Sequence, residues 1–160
     1  MIIRLTTAAD WRALKAIRLA ALHDAPTAFG VTHAAAAAYT DEQWQTRAAG
    51  TDLAEYVLAF DGEQPVGIVA GVVSAQEEYN LIAMWVRPDY RGKGVASRLI
   101  DAAKERAQAK GHRRIVLGVA PENASAANLY LRQGFAFLPE WEALESHPEI
   151  SVQKMEWVAS

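Results

Sequence analysis

The sequence predicts an α/β fold: one domain over residues 1–160, built as a mixed sheet with helices on both faces. Two features predict it. Helical patterns near the N-terminus give way to short apolar runs separated by turns, as in an antiparallel meander. The second half then alternates strand and helix, as in a βαβ crossover. Composition agrees. The 160 residues are 51% hydrophobic and 22% charged, ordinary for a domain that buries about 70% of its unfolded surface.

Ile2-Ile3-Arg4-Leu5 is a short first strand, and Thr7 with Asp10 caps the next helix. Trp11, Leu14, Ile17, Arg18, Ala21 and Leu22 mark one helical stripe that ends before Pro26. Ala34 to Ala38 is a run of strong helix formers. Thr40-Asp41-Glu42-Gln43 is a capping box that opens another helix, stopped at Gly50. Tyr56–Phe60 is the next strand, and Asp61-Gly62 signals a hairpin within a longer loop. Pro65–Ser74 and Asn80–Val86 are strands, the first interrupted by Gly67 and Gly71. A helix from Gly94 ends at Lys110-Gly111, and Ile115–Val119 is a buried strand. A helix from Asn123 or Ser125 ends at Gly134. The last strands are Phe135–Leu138 and Ser151–Trp157, with a polar, aromatic loop from Pro139 to Pro148 between them.

Several function classes are excluded. Without cysteine there is no disulfide, thiolate metal site or cysteine nucleophile. His23, His33, His112 and His147 lack metal-ligand spacing, so no metal is expected. A net charge of −3 argues against a nucleic-acid partner. The N-terminal MIIRLTTAADW turns polar too early for a signal peptide, and no stretch reads as a membrane span. The expected location is the cytoplasm, with no membrane partner.

The chain is organised around Met84–Ile100, MWVRPDYRGKGVASRLI. Pro88 breaks a strand, and Arg91-Gly92-Lys93-Gly94 then runs straight into a helix. The first N–H groups of a helix have no intrahelical partner, and the dipole is positive there. Glycines let the backbone approach a ligand closely, and Arg91 adds forked donors. The residues read as a phosphate or pyrophosphate cradle. An ordinary surface turn with solvated Arg91 and Lys93 is the plain alternative. GKGVAS also looks like a dinucleotide fingerprint lacking its third glycine, which keeps a dinucleotide-binding oxidoreductase in view.

Two motifs decide among these. Arg91-x-x-Gly94-x-Ala96 resembles the [QR]-x-x-G-x-[GA] acetyl-CoA motif of the GNAT N-acetyltransferase superfamily. Asn123-x-x-Ala126-x-x-Leu129-Tyr130, followed by Gly134-Phe135, is similar to a second segment of that family, in the right order. RLAALHDAPTAFG resembles its first helices, so the likeness covers roughly the whole chain. The resemblance implies a mostly antiparallel sheet of about seven strands, with a strand pair splayed apart at the CoA site.

The resemblance also implies an acyl-CoA-dependent N-acyltransferase using acetyl-CoA as co-substrate. Met84, Trp85 and Val86 would meet its pantetheine arm, and the Val86 amide its thioester oxygen. Arg91, Gly92, Lys93, Gly94, Val95, Ala96 and Ser97 would hold the pyrophosphate. Asn123, Asn128 and Tyr130 complete the cofactor set, although Asn123 is equally suited to capping a helix and Asn128 to a polar helix surface. Tyr130 falls on the family's general acid, and a phenol of pKa about 10 can hydrogen-bond or protonate a departing thiolate. Asn80 stands where many members carry a glutamate base, and an amide cannot take a proton. Glu77 and Glu78 lie just upstream. The acceptor would touch Phe29, Trp44, Trp85 and Trp141, with Arg18 and Leu22 nearby; each also suits a core. The expected partner is a small-molecule or peptide amine, and a homodimer is compatible with the reading. The missing glutamate leaves a second reading open, a catalytically weak CoA-binding sensor or regulatory module.

Overall fold

A computed structural model describes residues 1–160. Its elements, in chain order, are β1 (Ile2–Leu5), α1 (Trp11–Asp24), α2 (His33–Ala37), α3 (Asp41–Ala49), β2 (Ala54–Asp61), β3 (Gln64–Val73) and β4 (Tyr79–Val86). They continue with α4 (Val95–Ala109), β5 (Arg114–Val119), α5 (Ala124–Arg132), β6 (Ala136–Leu144) and β7 (His147–Val158). The seven strands form one sheet in the order β1-β2-β3-β4-β5-β7-β6. Only the β4–β5 pairing is parallel, because α4 crosses over between those strands. The expected mixed, mostly antiparallel sheet is therefore the one observed.

Each face of the sheet has its own core. Val57, Val69, Leu81, Leu117 and Met155 pack with Val95, Leu99 and Ala103 of α4 and Tyr130 of α5. Leu58, Phe60, Ile68 and Trp85 face the other way, against Leu14, Ile17, Trp44 and Ala48 of the N-terminal helices. Strand alternation makes this sorting possible: successive residues of β2 point to opposite layers. The buried carboxylate of Glu55 ties β2 to α4, with Arg106 at 2.9 Å and Lys110 at 3.6 Å.

The glycines inside β3 are there for close packing. A Cβ on Gly67 would stand 2.8 Å from Leu99 Cδ1, and one on Gly71 would collide with the hydroxyl and ring of Tyr79. Tyr79 is buried, so its ring is held by packed neighbours. Overpacking of this kind costs about 1–3 kcal/mol. We expect Gly71→Ala to lower Tm by roughly 3–10 °C, given about 2–4 °C per kcal/mol at this size. Adding Tyr79→Phe, which removes the nearest atom, should recover part of the loss in a thermal melt.

Two expectations need correction. The connection from Pro139 to Pro148 is not a loop. β6 runs to Leu144 and β7 starts at His147, leaving a tight hairpin turn at Glu145 and Ser146. The prolines that suggested a loop sit where the ladder is irregular, between Phe137 and Trp141 and beside Leu144, and β6 is an edge strand. Those are the places where a missing N–H costs no ladder bond. Likewise Asp61 pairs with Gln64, so Gly62 and Glu63 form a two-residue hairpin and not a longer loop.

Candidate active site

β4 and β5 pair at Tyr79↔Ile115 and Asn80↔Val116 and then diverge. The cause lies in β4. Against β3, Ile82 faces Ala70 but Trp85 faces Ile68, so β4 carries an extra residue there. Ala83 takes a left-handed φ of 60°, uncommon away from glycine. Such a bulge bends and twists its strand, often beside a functional site. A cavity of about 1340 Å³ occupies the resulting V and spreads under the N-terminal helices. Asn80–Met84, Leu117–Val119, Ala126 and Tyr130 line the V itself. Single small-molecule sites are about 300–1,000 Å³, so this space suits two reactants.

At the far end of β4 the chain makes one 3-10 turn, Pro88–Tyr90, and then the glycine turn. Gly92 and Gly94 have φ of 77° and 80°, and a Cβ on either would meet nothing within 4 Å. Open space thus faces the turn. Gly94 is the N-cap of α4 and offers no side-chain acceptor, and the first helical bond runs from Arg98 N to Gly94 O. The amides of Val95, Ala96 and Ser97 point out of an uncapped helix start, an anion site by construction. Arg91 is tied down within the protein and keeps half of its side chain exposed. Its Nε donates to Val86 O and one Nη donates to Asp24, both at 3.0 Å. Trp85 Nε1 donates to the same Asp24 carboxylate at 3.0 Å. These bonds hold that carboxyl below the usual range, Trp85 contributing most and Arg91 next. Arg91 and Trp85 therefore fasten the turn to the end of α1, while Lys93 extends into solvent beside Tyr90.

Tyr130 is buried on α5 and lines the cavity. Phe135 N donates to Tyr130 O at 2.9 Å, seating the Phe135 ring edge-on against Tyr130 at 5.7 Å. That contact is the structural content of the Gly134-Phe135 motif. Burial alone pushes the Tyr130 phenol well above its ordinary value. Asn123 caps α5, accepting from Ala126 N at 3.4 Å, and still borders the cavity. Asn128 lies on the exposed side of the same helix, away from the cavity lining.

Asn80 sits where β4 and β5 begin to part. Its Nδ2 donates to Glu78 O at 3.1 Å and Val72 O at 3.5 Å, which leaves Oδ1 as the free acceptor. Glu78 is committed elsewhere, to Arg114 at 2.6 Å and Lys154 at 3.3 Å. Burial pushes its pKa up, but those hydrogen bonds outweigh burial and hold the group below the ordinary carboxylate range. Glu77 is exposed in the turn before β4.

Of the acceptor-site candidates, Phe29, Trp44, Trp141 and Arg18 line the cavity, whereas Trp85 and Leu22 are core. The structure adds Tyr39, Arg47 and Tyr56 to this wall, and Glu142 from β6. A Cβ on Gly118 would stand 3.7 Å from Glu142 Oε1, so that carboxylate overhangs β5. Ser146 Oγ donates to Phe29 O, joining the hairpin tip to the loop after α1 and roofing the cavity. No helix is long and apolar enough to cross a membrane.

Solved structures share this architecture. An acetyltransferase of the GNAT family from Streptococcus pneumoniae superposes with a TM-score of 0.80 over 99% of both chains, at 24% identity. A ribosomal-protein-alanine N-acetyltransferase from Brucella melitensis gives 0.73 over 99% of both, at 20% identity. A Salmonella typhimurium protein solved with its cofactor acetyl-CoA gives 0.72 over 100% of this chain and 94% of that one, at 18% identity. At these identities the likeness is one of fold. In sequence, an uncharacterised N-acetyltransferase of Methanocaldococcus jannaschii is 36% identical over 86 residues, half of this chain. The chain spans 38% of that relative's length. The acetyltransferase (GNAT) family model matches residues 18–135, from inside α1 to the phenylalanine that packs on Tyr130. That stretch carries the V, the glycine turn and the Tyr130 helix, and by it the chain belongs to the acetyltransferase (GNAT) family.

Proposed function

We propose that the protein is an N-acetyltransferase that moves an acetyl group from acetyl-CoA to a primary amine of a small molecule or peptide by direct attack. One observation carries the reading: β4 parts from β5 to open a cleft lined by Tyr130, and the same strand runs on into the glycine turn and the uncapped start of α4. The co-substrate supplies an activated acetyl thioester. Its pyrophosphate fits the amides of Val95–Ser97, and its peptide-like arm fits the unpaired edges of β4 and β5. The amine nitrogen forms the new bond to the acetyl carbon as the carbon–sulfur bond breaks. Tyr130 donates a hydrogen bond to the departing sulfur, and the amine's proton leaves through water beside Asn80 Oδ1.

Asn80 in place of a carboxylate favours the second reading, a CoA-binding sensor. Release of free CoA over a panel of amines separates the two: turnover of any member supports the enzyme, and binding without turnover supports the sensor.

The cradle has its own test. Ser97 is the third residue of α4, where a glutamate suits the helix dipole by about 0.3–1 kcal/mol but repels a pyrophosphate. Ser97→Glu should leave the free protein's Tm unchanged or slightly raised. Acetyl-CoA at 100-fold its Kd stabilises the parent by about 2.7 kcal/mol, and that shift should largely vanish in the variant. A retained shift would move the pyrophosphate away from this turn.

A further inference from the structure

Under the N-terminal helices the cavity holds an unpaired buried cation. Arg18 on α1 is only 7% exposed, yet it lines the cavity and its Nη1 has no partner in the protein. Its guanidinium lies 4.9 Å over the ring of Phe29. No carboxylate forms an ion pair with it; the groups that offset its burial are the phenols of Tyr56 and Tyr39. Burial pushes the guanidinium down from its ordinary value, the mark of a charge held without a counterion. Trp44 Nε1, in the same wall, is a second buried donor without an acceptor. Arg47 adds a second cation, stacked 3.8 Å over Tyr39. This end of the cavity is rich in donors and poor in acceptors.

Buried charges are ordinarily paired, and leaving one unpaired costs several kcal/mol. A residue there for stability alone would do better as methionine or leucine. A guanidinium fork stacked on an aromatic ring and without a protein partner matches a planar or tetrahedral oxyanion. The β6–β7 hairpin adds carboxylates to the lining, Glu142, Glu145 and Glu149. The lining thus offers both signs of charge to a molecule with a positive and a negative end.

We propose that Arg18 binds an oxyanion on the acceptor, so that this enzyme acetylates small amines carrying a carboxylate or phosphonate, such as α-amino acids. The inference rests on the acetyltransferase reading above. It also bears on the missing base. A carboxylate near an amine holds the amine's proton, and pairing that carboxylate with Arg18 weakens the hold.

The test uses matched pairs: L-α-amino acids against their amides, and 2-aminoethylphosphonate against ethanolamine. With acetyl-CoA saturating, kcat/KM should favour the anionic member of the best pair by about 30-fold or more, as expected for a buried charge pair. Arg18→Met should bring that ratio close to one, and Arg18→Lys should restore part of it. The free Arg18→Met protein should melt no lower than the parent, because an unpaired charge has been removed. Equal use of acids and amides by the parent, or an unchanged ratio in Arg18→Met, overturns the proposal. If no amine is turned over, the acetyltransferase reading fails while Arg18 is judged by binding. In the presence of CoA the acids, and not the amides, should then raise Tm in the parent but not in Arg18→Met; absence of that shift overturns the proposal as well.

Discussion

Tyr130→Phe should lower kcat by about 10²–10³-fold while leaving acetyl-CoA binding and folding nearly untouched. The free phenol has a pKa of about 10 and an alkyl thiol about 8.5, and burial raises the Tyr130 phenol further. Full proton transfer to the thiolate is therefore uphill. What remains is a preorganised hydrogen bond to charge that develops on sulfur. Loss of one such donor typically costs about 10²–10³-fold, the lower part of the range for acid catalysis. Packing should survive, because the ring keeps its edge contact with Phe135 and the hydroxyl's shift comes from burial alone, without a protein hydrogen bond. The direction of the shift also fixes a pH expectation: a group raised in the folded protein stays protonated below its ordinary range, so Tyr130 adds no alkaline fall in rate up to about pH 10. The check is kcat with chemistry shown to be rate-limiting, beside the thermal shift with acetyl-CoA. An unchanged kcat would make Tyr130 a packing residue.

The parts of the site that were legible in the sequence are those encoded locally. Arg91–Ala96 could be read because a glycine turn and the helix start after it are neighbours in the chain. Tyr130 and Phe135 could be read because one helix end joins them. The fold followed from periodicity, except where proline misled: Pro139 and Pro148 mark loops in general, and only the pairing of β6 with β7 reveals the irregular positions that accept them. The anchoring of Arg91 had no sequence signal, since nothing in the sequence says that Asp24 and the Val86 carbonyl converge on it. The acceptor wall was the least legible. Arg18, Phe29, Trp44 and Trp141 could be named from residue type, but Tyr39, Arg47 and Tyr56 come from the segment before α3, α3 and β2, and only packing brings them to the same wall. Glu142 lies in the segment that read as a loop, so its approach to β5 had no sequence signal.

The absence of a base at Asn80 makes the basicity of the acceptor decisive. Asn80 Nδ2 is anchored to two backbone carbonyls, and its Oδ1 can orient an amine but cannot take its proton. Glu78 offers no help. Arg114 and Lys154 outweigh its burial and hold it below the ordinary range, so it is ionised across the assay range and engaged in ion pairs. On the acetyltransferase reading, catalysis must then wait for acceptor that is already neutral, or pass the proton to water. An α-amino group titrates near 7.7–8.0 and a lysine-type amine near 10.4, so their reactive fractions at neutral pH differ by about 300-fold. We expect kcat/KM to rise with pH and level off near the pKa of each free amine, with low-pKa amines preferred and no acidic limb that is common to all. Asn80→Glu should raise kcat/KM at the acid end, where a carboxylate reaching the amine through one water would collect the proton. Profiles for three amines of different basicity decide the matter. If all three bend at one pKa, about 6 for a tuned carboxylate, an enzyme group is the base. Glu142, which overhangs β5 in the same cavity, is then the side chain to replace with glutamine first, ahead of Glu77 in its exposed turn.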